Sequence, residues 1–309
     1  MSNAGFSNST PSPFLTAVEE VRNSPLIVGV RPAARWKRLA GFIALSCVLI
    51  IAAGIVIGLA MSALEAAGIF DADALATVPE GPNRLYGEGA YVLELGAFLG
   101  LLAGAVLLSA RIAYGVPTTA FLWPRRRLSL RYLWLGFAVM ALVGSASAII
   151  YNLIDPAGPA PILNPAYSVV AAAALGLFVA ATAEEVVCRG VLLRVTGGFT
   201  CSLIILCLFN AIVFSAIHMD PDPVAFVARA LSGLIWTWAA LRLGGIEFAI
   251  GAHWAGNLTI SLLEEPISTE PPPGEILPLS ALAYEAVALI VVLFVVERIV
   301  RARRAQPSP

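Results

Sequence analysis

The chain has little charge and few residues that bind metals or nucleic acids. Of its 309 residues, 13% are Asp, Glu, Lys or Arg, and the formal net charge is -1. No basic block with interleaved aromatic residues occurs, so nothing predicts a nucleic-acid partner. The four cysteines lie in or beside apolar runs without metal-type spacing, which argues against a disulfide framework and a cysteine zinc site. The two histidines, His218 and His253, lie near the ends of apolar runs.

Hydrophobic residues make up 59% of the chain, and the mean hydropathy is +0.86. A soluble fold of this length could not bury so much apolar surface, so the composition predicts an all-α polytopic membrane protein. Eight apolar runs approach the roughly 20 residues that a bilayer requires. They lie at about 39–64, 90–114, 132–153, 167–187, 201–219, 224–243, 246–263 and 276–299.

These runs divide the chain into a tail at 1–38, an eight-helix transmembrane domain at 39–300 and a tail at 301–309. Every second connecting segment is basic, whereas the alternate segments are acidic. By the positive-inside rule, both termini are expected in the cytoplasm. The basic residues are arginines except for Lys37, which suits a GC-rich genome, so we expect a bacterial plasma membrane.

Three charged residues lie at the end of the fourth run. Glu185 and Arg189 are four residues apart and share one helical face, in the order that favours an intrahelical ion pair. Glu184 is rotated by about 100° from Glu185 and can point elsewhere. Charges in hydrocarbon are costly, so they need partners or a purpose. A carboxylate left free beside a paired one could act as a general base.

Two further patterns contain the histidines. Phe214 and His218 are four residues apart, just before an Asp-Pro-Asp-Pro sequence that stops the helix. His253 and Asn257 share a face in the next-but-one run. Small residues surround His253 and Asn257 and allow a neighbouring helix to approach closely. These small residues are Gly251, Ala252, Ala255 and Gly256.

Together the three patterns resemble the CPBP family of intramembrane proteases, also called the Abi or CAAX protease type II family. Its EExxxR, FxxxH and HxxxN motifs correspond here to Glu184, Glu185 and Arg189, to Phe214 and His218, and to His253 and Asn257. The match covers about 184–257, a quarter of the chain, within a predicted protease core at about 167–263. One such motif is weak, but three in order that use both histidines are specific.

The resemblance implies hydrolysis of peptide bonds in membrane-associated peptides, prenylated or leader-type ones among them. Glu184 with His218 would activate water, whereas His253 and Asn257 would stabilise the oxyanion. Glu185 and Arg189 would order the site, and Phe214 would line it. No cofactor is required by this interpretation. A zinc ion held by Glu184, His218 and His253 is the alternative, although HExxH is absent.

Other interpretations of the same residues stay open. Alone, Glu185 and Arg189 would be a stabilising salt bridge, and Phe214 would be core packing. Arg229 and Glu285, predicted inside spans, are expected to pair with each other or with lipid headgroups rather than to touch substrate. Beside the protease stand a non-catalytic immunity or peptide- or lipid-binding protein of the same fold and a transporter, because intramembrane charges also mark ion pathways.

The predicted spans create a conflict of depth. With span ends near 187 and 201, His218 would lie about 25 Å from the face where Glu184 lies, at 1.5 Å per residue. We therefore expect the fourth span to start deeper or to project beyond the bilayer, which lowers the start of the fifth. The prediction is that Glu184, His218, His253 and Asn257 line one cavity, with His218 no more than about 12 Å from Glu184.

Overall fold

The computed structural model describes residues 13–28, 34–68, 82–124, 127–154, 167–263 and 276–305, and these contain helices and no strand. The all-α prediction is confirmed. The helices are α1 Pro13–Arg22, α2 Pro25–Val28, α3 Arg35–Ala66, α4 Pro82–Tyr114, α5 Thr119–Leu122, α6 Leu130–Ile154, α7 Tyr167–Glu185, a π-helical segment Val186–Leu192, α8 Leu193–Gly197, α9 Leu203–Ala216, α10 Pro223–Leu243, α11 Glu247–Leu263 and α12 Ser280–Arg304. Several acidic loop residues behind the topology prediction, among them Asp71, Asp73 and Asp155, lie outside the described residues.

Each of the eight predicted runs contains a helix, but the helices differ in length. Six described helices are long and apolar enough to cross a membrane, so the protein is an integral membrane protein. The two exceptions are α9, with 14 residues, and α11, with 17. Since a bilayer core requires roughly 20 helical residues, the predicted count of eight spans is approximate.

Glycines allow the central helices to touch backbone to backbone. A methyl group on Gly176 of α7 would overlap the Val92 carbonyl of α4, and one on Gly251 of α11 would overlap the Leu133 carbonyl of α6. In a membrane the hydrophobic effect does not drive helices together, so their association depends on close van der Waals packing, which small residues allow. The close approach of a helix predicted beside His253 is therefore found at Gly251.

The predicted end of the fourth span is wrong, and the correction resolves the conflict of depth. The helical path continues from α7 through the π-helical segment and α8 to Gly197. Glu184 thus lies 13 residues, about 20 Å, before that end. The 14 residues of α9 then return over a similar distance, so the turn at His218 lies at the level of Glu184.

The described parts of the two predicted tails contact the rest of the protein. Leu26 and Ile27 of α2 are fully buried. Ser24 donates to the Leu241 carbonyl, and Glu20 accepts from Arg242 at 2.7 Å. At the other end, α12 continues past residue 300, and Arg304 pairs with Glu20. The described parts of 1–38 and 301–309 therefore belong to the folded body, because apolar side chains and ion pairs anchor them to α10 and α12.

Candidate active site

Glu185 lies at the centre of a buried polar cluster at the end of α7. Its Oε1 accepts two hydrogen bonds of 2.9 Å, one from Arg189 Nη1 and one from His253 Nδ1. The side chains of Glu185 and Arg189 are 0% exposed. The i, i+4 pair expected from the sequence therefore forms, and its acid also fixes the orientation of an imidazole on α11.

Arg189 lies in the π-helical segment and is held by three contacts. Besides Glu185, its Nη2 donates to the Gly233 carbonyl at 3.2 Å, and its guanidinium carbon lies 4.2 Å from the Phe214 ring centroid. Gly233 fits α10 tightly against Ala211, whose Cα would crowd any added methyl group. Sequence reasoning missed Gly233, and a backbone acceptor leaves no signal in the side-chain pattern. No sequence motif indicated the π-helical geometry either. Short π-helical segments are frequent at functional sites.

Glu184 points toward both histidines. Its Oε2 lies 3.7 Å from His218 Nε2 and 3.9 Å from His253 Nε2. These separations are too long for direct hydrogen bonds but suit a shared water molecule. Oε2 is buried and has no hydrogen-bond partner within the described parts of the chain. The structure thus brings Glu184, His218 and His253 together.

The second ring nitrogen of each histidine is already engaged. His218 Nδ1 lies 2.8 Å from the Phe214 carbonyl, and His253 Nδ1 lies 2.9 Å from Glu185 Oε1. A carbonyl and a carboxylate can only accept, so both Nδ1 atoms carry a proton. In a neutral ring this leaves the lone pair on Nε2, the atom that faces Glu184.

Phe214 lies within the cluster, whereas Asn257 is linked to it only through α11. The buried Phe214 ring meets the His218 and His253 rings edge-on, with centroids 5.2 and 5.7 Å away. Phe214 therefore lines the site as well as packing. Asn257 is partly buried one turn after His253, and its side chain makes no hydrogen bond to another described residue.

The cluster is closed at one end and open at the other. Side-chain exposure rises from 0% at Glu185 and 9% at His253 to 17% at Glu184 and 29% at His218. Access is therefore from the side of the turn that carries His218. Glu185 and Arg189 form the closed base.

The donors are of the kind that zinc binds, and they lie slightly further apart than zinc ligands do. One carboxylate and two imidazoles form a ligand set that catalytic zinc uses, with an open position. Two ligands on a tetrahedral zinc ion are about 3.4 Å apart, whereas Glu184 Oε2 lies 3.7 and 3.9 Å from the two nitrogens. No group of three His, Cys, Asp or Glu side chains in the described ranges has the arrangement of a metal site.

Arg229 and Glu285 do not pair with each other, contrary to expectation. Arg229 Nη1 donates to Asp220 Oδ2 at 2.8 Å, and Glu285 Oε2 accepts from Ser232 Oγ at 2.7 Å. Arg229 and Ser232, the two residues of α10 in these pairs, are three residues apart. Sequence reasoning could not find either pair, because both join different elements.

The fold and the cluster define a polytopic membrane protein in which two carboxylates, two imidazoles and a guanidinium meet at one site. Residues 166–259 match the family model described as "Type II CAAX prenyl endopeptidase Rce1-like". The match includes every predicted site residue, and the family inferred from the three motifs is confirmed for this part of the chain.

One curated relative and the solved structures add little about function. The uncharacterized protein YyaK of Bacillus subtilis (strain 168) is 27% identical over 174 residues. The alignment covers 51% of this chain and 56% of that protein, so the chain spans about half the length of the curated relative it matches. No solved structure matches the chain.

Proposed function

We propose that the protein is an intramembrane endopeptidase that hydrolyses peptide bonds with water activated by Glu184. The observation that carries this proposal is the buried Oε2 of Glu184, which has no hydrogen-bond partner in the described chain and faces two imidazole nitrogens. An unpartnered carboxylate oxygen in a buried site is costly unless a water or substrate occupies the space.

In this mechanism a water molecule lies between Glu184 and His218. Glu184 accepts a proton from the water while the water oxygen attacks the peptide carbonyl carbon. The Glu184 carboxyl group then donates that proton to the departing amine. The 3.7 Å separation of Oε2 and Nε2 lets one water reach both groups. His218 orients the water through the Nε2 lone pair, because its Nδ1 is bound to the Phe214 carbonyl.

His253 and Asn257 are the proposed donors to the tetrahedral oxyanion. His253 can donate from Nε2 only as an imidazolium, since Nδ1–H already binds Glu185. Carboxylate oxygens of Glu184 and Glu185 lie 3.9 and 2.9 Å from the two ring nitrogens of His253. Asn257 lies one turn further along α11 with an amide that makes no other described hydrogen bond, so it can turn toward the substrate.

Glu185, Arg189 and Phe214 act as positioning residues. Glu185 joins α7 to α11 through His253, and Arg189 joins it to α10 through the Gly233 carbonyl. Phe214 packs between Arg189 and both imidazoles. This arrangement holds the reacting groups on three helices in one geometry, which is where proximity contributes most to catalysis.

The family description supports a membrane-associated peptide as substrate, and prenylated peptides are the first class to test. The closed base of the cluster favours an enzyme over a transporter, because a transport path needs access from both faces. By the charge pattern of the loops, we propose that both termini lie in the cytoplasm. The arginine-rich basic set favours a bacterial plasma membrane.

The test is cleavage by purified protein in detergent, with a peptide library that includes prenylated and unprenylated members. Cleavage by the wild type that is lost in Glu184→Ala and unaffected by a chelator is the expected result. Loss with chelator and recovery with zinc would instead make His218 and His253 metal ligands. Equal cleavage by both proteins would remove Glu184 from the mechanism, and a peptide that binds without cleavage would favour a binding or immunity protein.

A further inference from the structure

The open side of the site carries an ion pair that the proposed mechanism does not use. Asp220 lies two residues after His218, in the turn between α9 and α10, and Arg229 lies on α10. Their side chains are 29% and 32% exposed, similar to His218 and unlike the closed base. The hydrogen bond from Arg229 to Asp220 places the guanidinium beside the turn that carries His218.

The Arg229 guanidinium has N–H donors that make no described hydrogen bond. A guanidinium carries five N–H groups in a planar fork that matches a carboxylate. The described contacts use one of them, from Nη1 to Asp220 Oδ2 at 2.8 Å. The unused donors lie on a side chain that is one-third exposed, so an incoming anion can reach them without unfolding the turn.

The turn holds the pair in a fixed position relative to His218. Asp220 Oδ1 accepts from the Asp222 backbone N–H at 2.9 Å, and Asp222 caps α10 through the Val224 N–H at 2.8 Å. Asp222 Oδ2 also accepts from the backbone N–H of Leu277, before α12, at 2.7 Å. These hydrogen bonds tie the turn to α10 and to the segment before α12, and Arg229 is bound to the same turn.

We propose that Arg229 is a specificity-determining residue that binds a carboxylate of the peptide substrate beside the scissile bond. Asp220 holds the guanidinium in place in the free protein and competes with the substrate carboxylate for it. The carboxylate could be the C-terminal one or an acidic side chain, since a guanidinium binds both in the same way. This inference rests on the proposed function, because it assigns the chemistry of what enters the same site.

Binding of labelled peptides to the full chain in detergent tests the inference without requiring turnover. The background carries Glu184→Gln, and three probes share one apolar sequence. The first has a free C-terminal carboxylate, the second a C-terminal carboxamide, and the third a carboxamide with one internal aspartate. We expect about tenfold tighter binding of a carboxylate probe than of the neutral one, as one charge-assisted hydrogen-bonded pair provides.

Two variants should change this preference in opposite directions. Arg229→Gln should abolish it, while Asp220→Asn should increase it, because the competing charge is removed and an asparagine oxygen still accepts from the Asp222 N–H. A merely structural ion pair would make both variants bind all probes more weakly. Arg298→Gln, at an exposed arginine on α12, is the matched control and should leave the preference unchanged.

Preference for the first probe would assign the C-terminal carboxylate, and preference for the third would assign an acidic side chain. Equal binding of the three probes, no measurable binding of any, or a preference that survives Arg229→Gln would overturn the inference. Cleavage by the wild type is measured separately. Cleavage without a carboxylate preference would therefore count against Arg229 alone, whereas a preference without cleavage would count against the protease.

Discussion

Glu184 and Glu185 are neighbours with the same side chain, yet the structure predicts opposite consequences when each is changed to glutamine. Glu184 Oε2 faces the open part of the site and accepts no hydrogen bond from a described residue. Glu185 Oε1 accepts from both Arg189 and His253 at 2.9 Å. Glutamine preserves the shape of each side chain and removes its charge, so the two substitutions separate catalysis from structure.

For Glu184→Gln we expect the loss of general-base catalysis with the fold intact. Positioned acid–base groups contribute about 10²–10⁴ in rate, so kcat should fall by a factor in that range. Stability should be unchanged or slightly increased, because an unpartnered buried carboxylate oxygen favours unfolding. A residue whose removal abolishes activity and does not weaken the protein is the signature of a functional site.

For Glu185→Gln we expect a folding defect first. The substitution removes the charge partner of a fully buried guanidinium, and breaking one side of a buried ion pair costs about 3–5 kcal/mol. The amide oxygen of glutamine can still accept a hydrogen bond from Arg189, which places the expected loss toward the lower end of that range. Activity should fall as well, because His253 loses the acceptor that sets its orientation.

The assay is thermal unfolding in detergent, followed by the fluorescence of the six tryptophans and paired with peptide cleavage at the same temperature. The expected pattern is an inactive Glu184→Gln that unfolds at or above the wild-type temperature and a Glu185→Gln that unfolds well below it. Equal destabilisation by the two substitutions would refute the reasoning, because it would mean that both carboxylates are structural. So would wild-type cleavage by Glu184→Gln.

Two further predictions concern packing and pH. Gly251→Ala should destabilise the protein by about 1–3 kcal/mol, because its methyl group would overlap the Leu133 backbone. Gly54→Ala, with open space around it, should unfold at the wild-type temperature. Equal unfolding temperatures for the two variants would contradict the close packing at Gly251. The pKa of Asp220 is lowered by the backbone N–H two residues later and then by Arg229. The stability that this carboxylate contributes is therefore present above its unfolded pKa of about 3.9 and lost as the pH falls through its lower folded value. The unfolding midpoints of wild type and Asp220→Asn should differ at pH 7 and converge below about pH 4. A difference that stays constant with pH would count against the lowered pKa of Asp220.

The sequence predicted the helices and the local pairing of side chains better than the depth of the site. Apolar runs locate membrane helices because each run must satisfy its backbone internally, and all eight runs proved helical. The i, i+4 spacings likewise predicted which side chains share a face, and Glu185 with Arg189 forms the expected pair. Both inferences rest on local geometry, which a single sequence contains.

Contacts between elements that are distant in the sequence could not be predicted from local geometry. The carbonyl of Gly233 that accepts from Arg189 has no side chain to indicate its role. The burial of α2 was missed for a similar reason, because a four-residue apolar stretch after a polar start is too short to produce a periodic pattern. Leu26 and Ile27 are recognisable as core residues only once α10 and α8 are in place.

The error in depth has a physical cause that applies beyond this chain. Hydropathy ends a span where charges begin, as it did at Arg189 and Arg194, on the assumption that charge faces water. Both arginines are in fact buried, and carbonyls or a carboxylate inside the protein accept their N–H groups. An intramembrane active site needs such charges in the middle of its helices, so the functional helix is the one whose length a hydropathy pattern underestimates. The conflict between the motif and the predicted depth was therefore itself evidence that the helix continues past its charges.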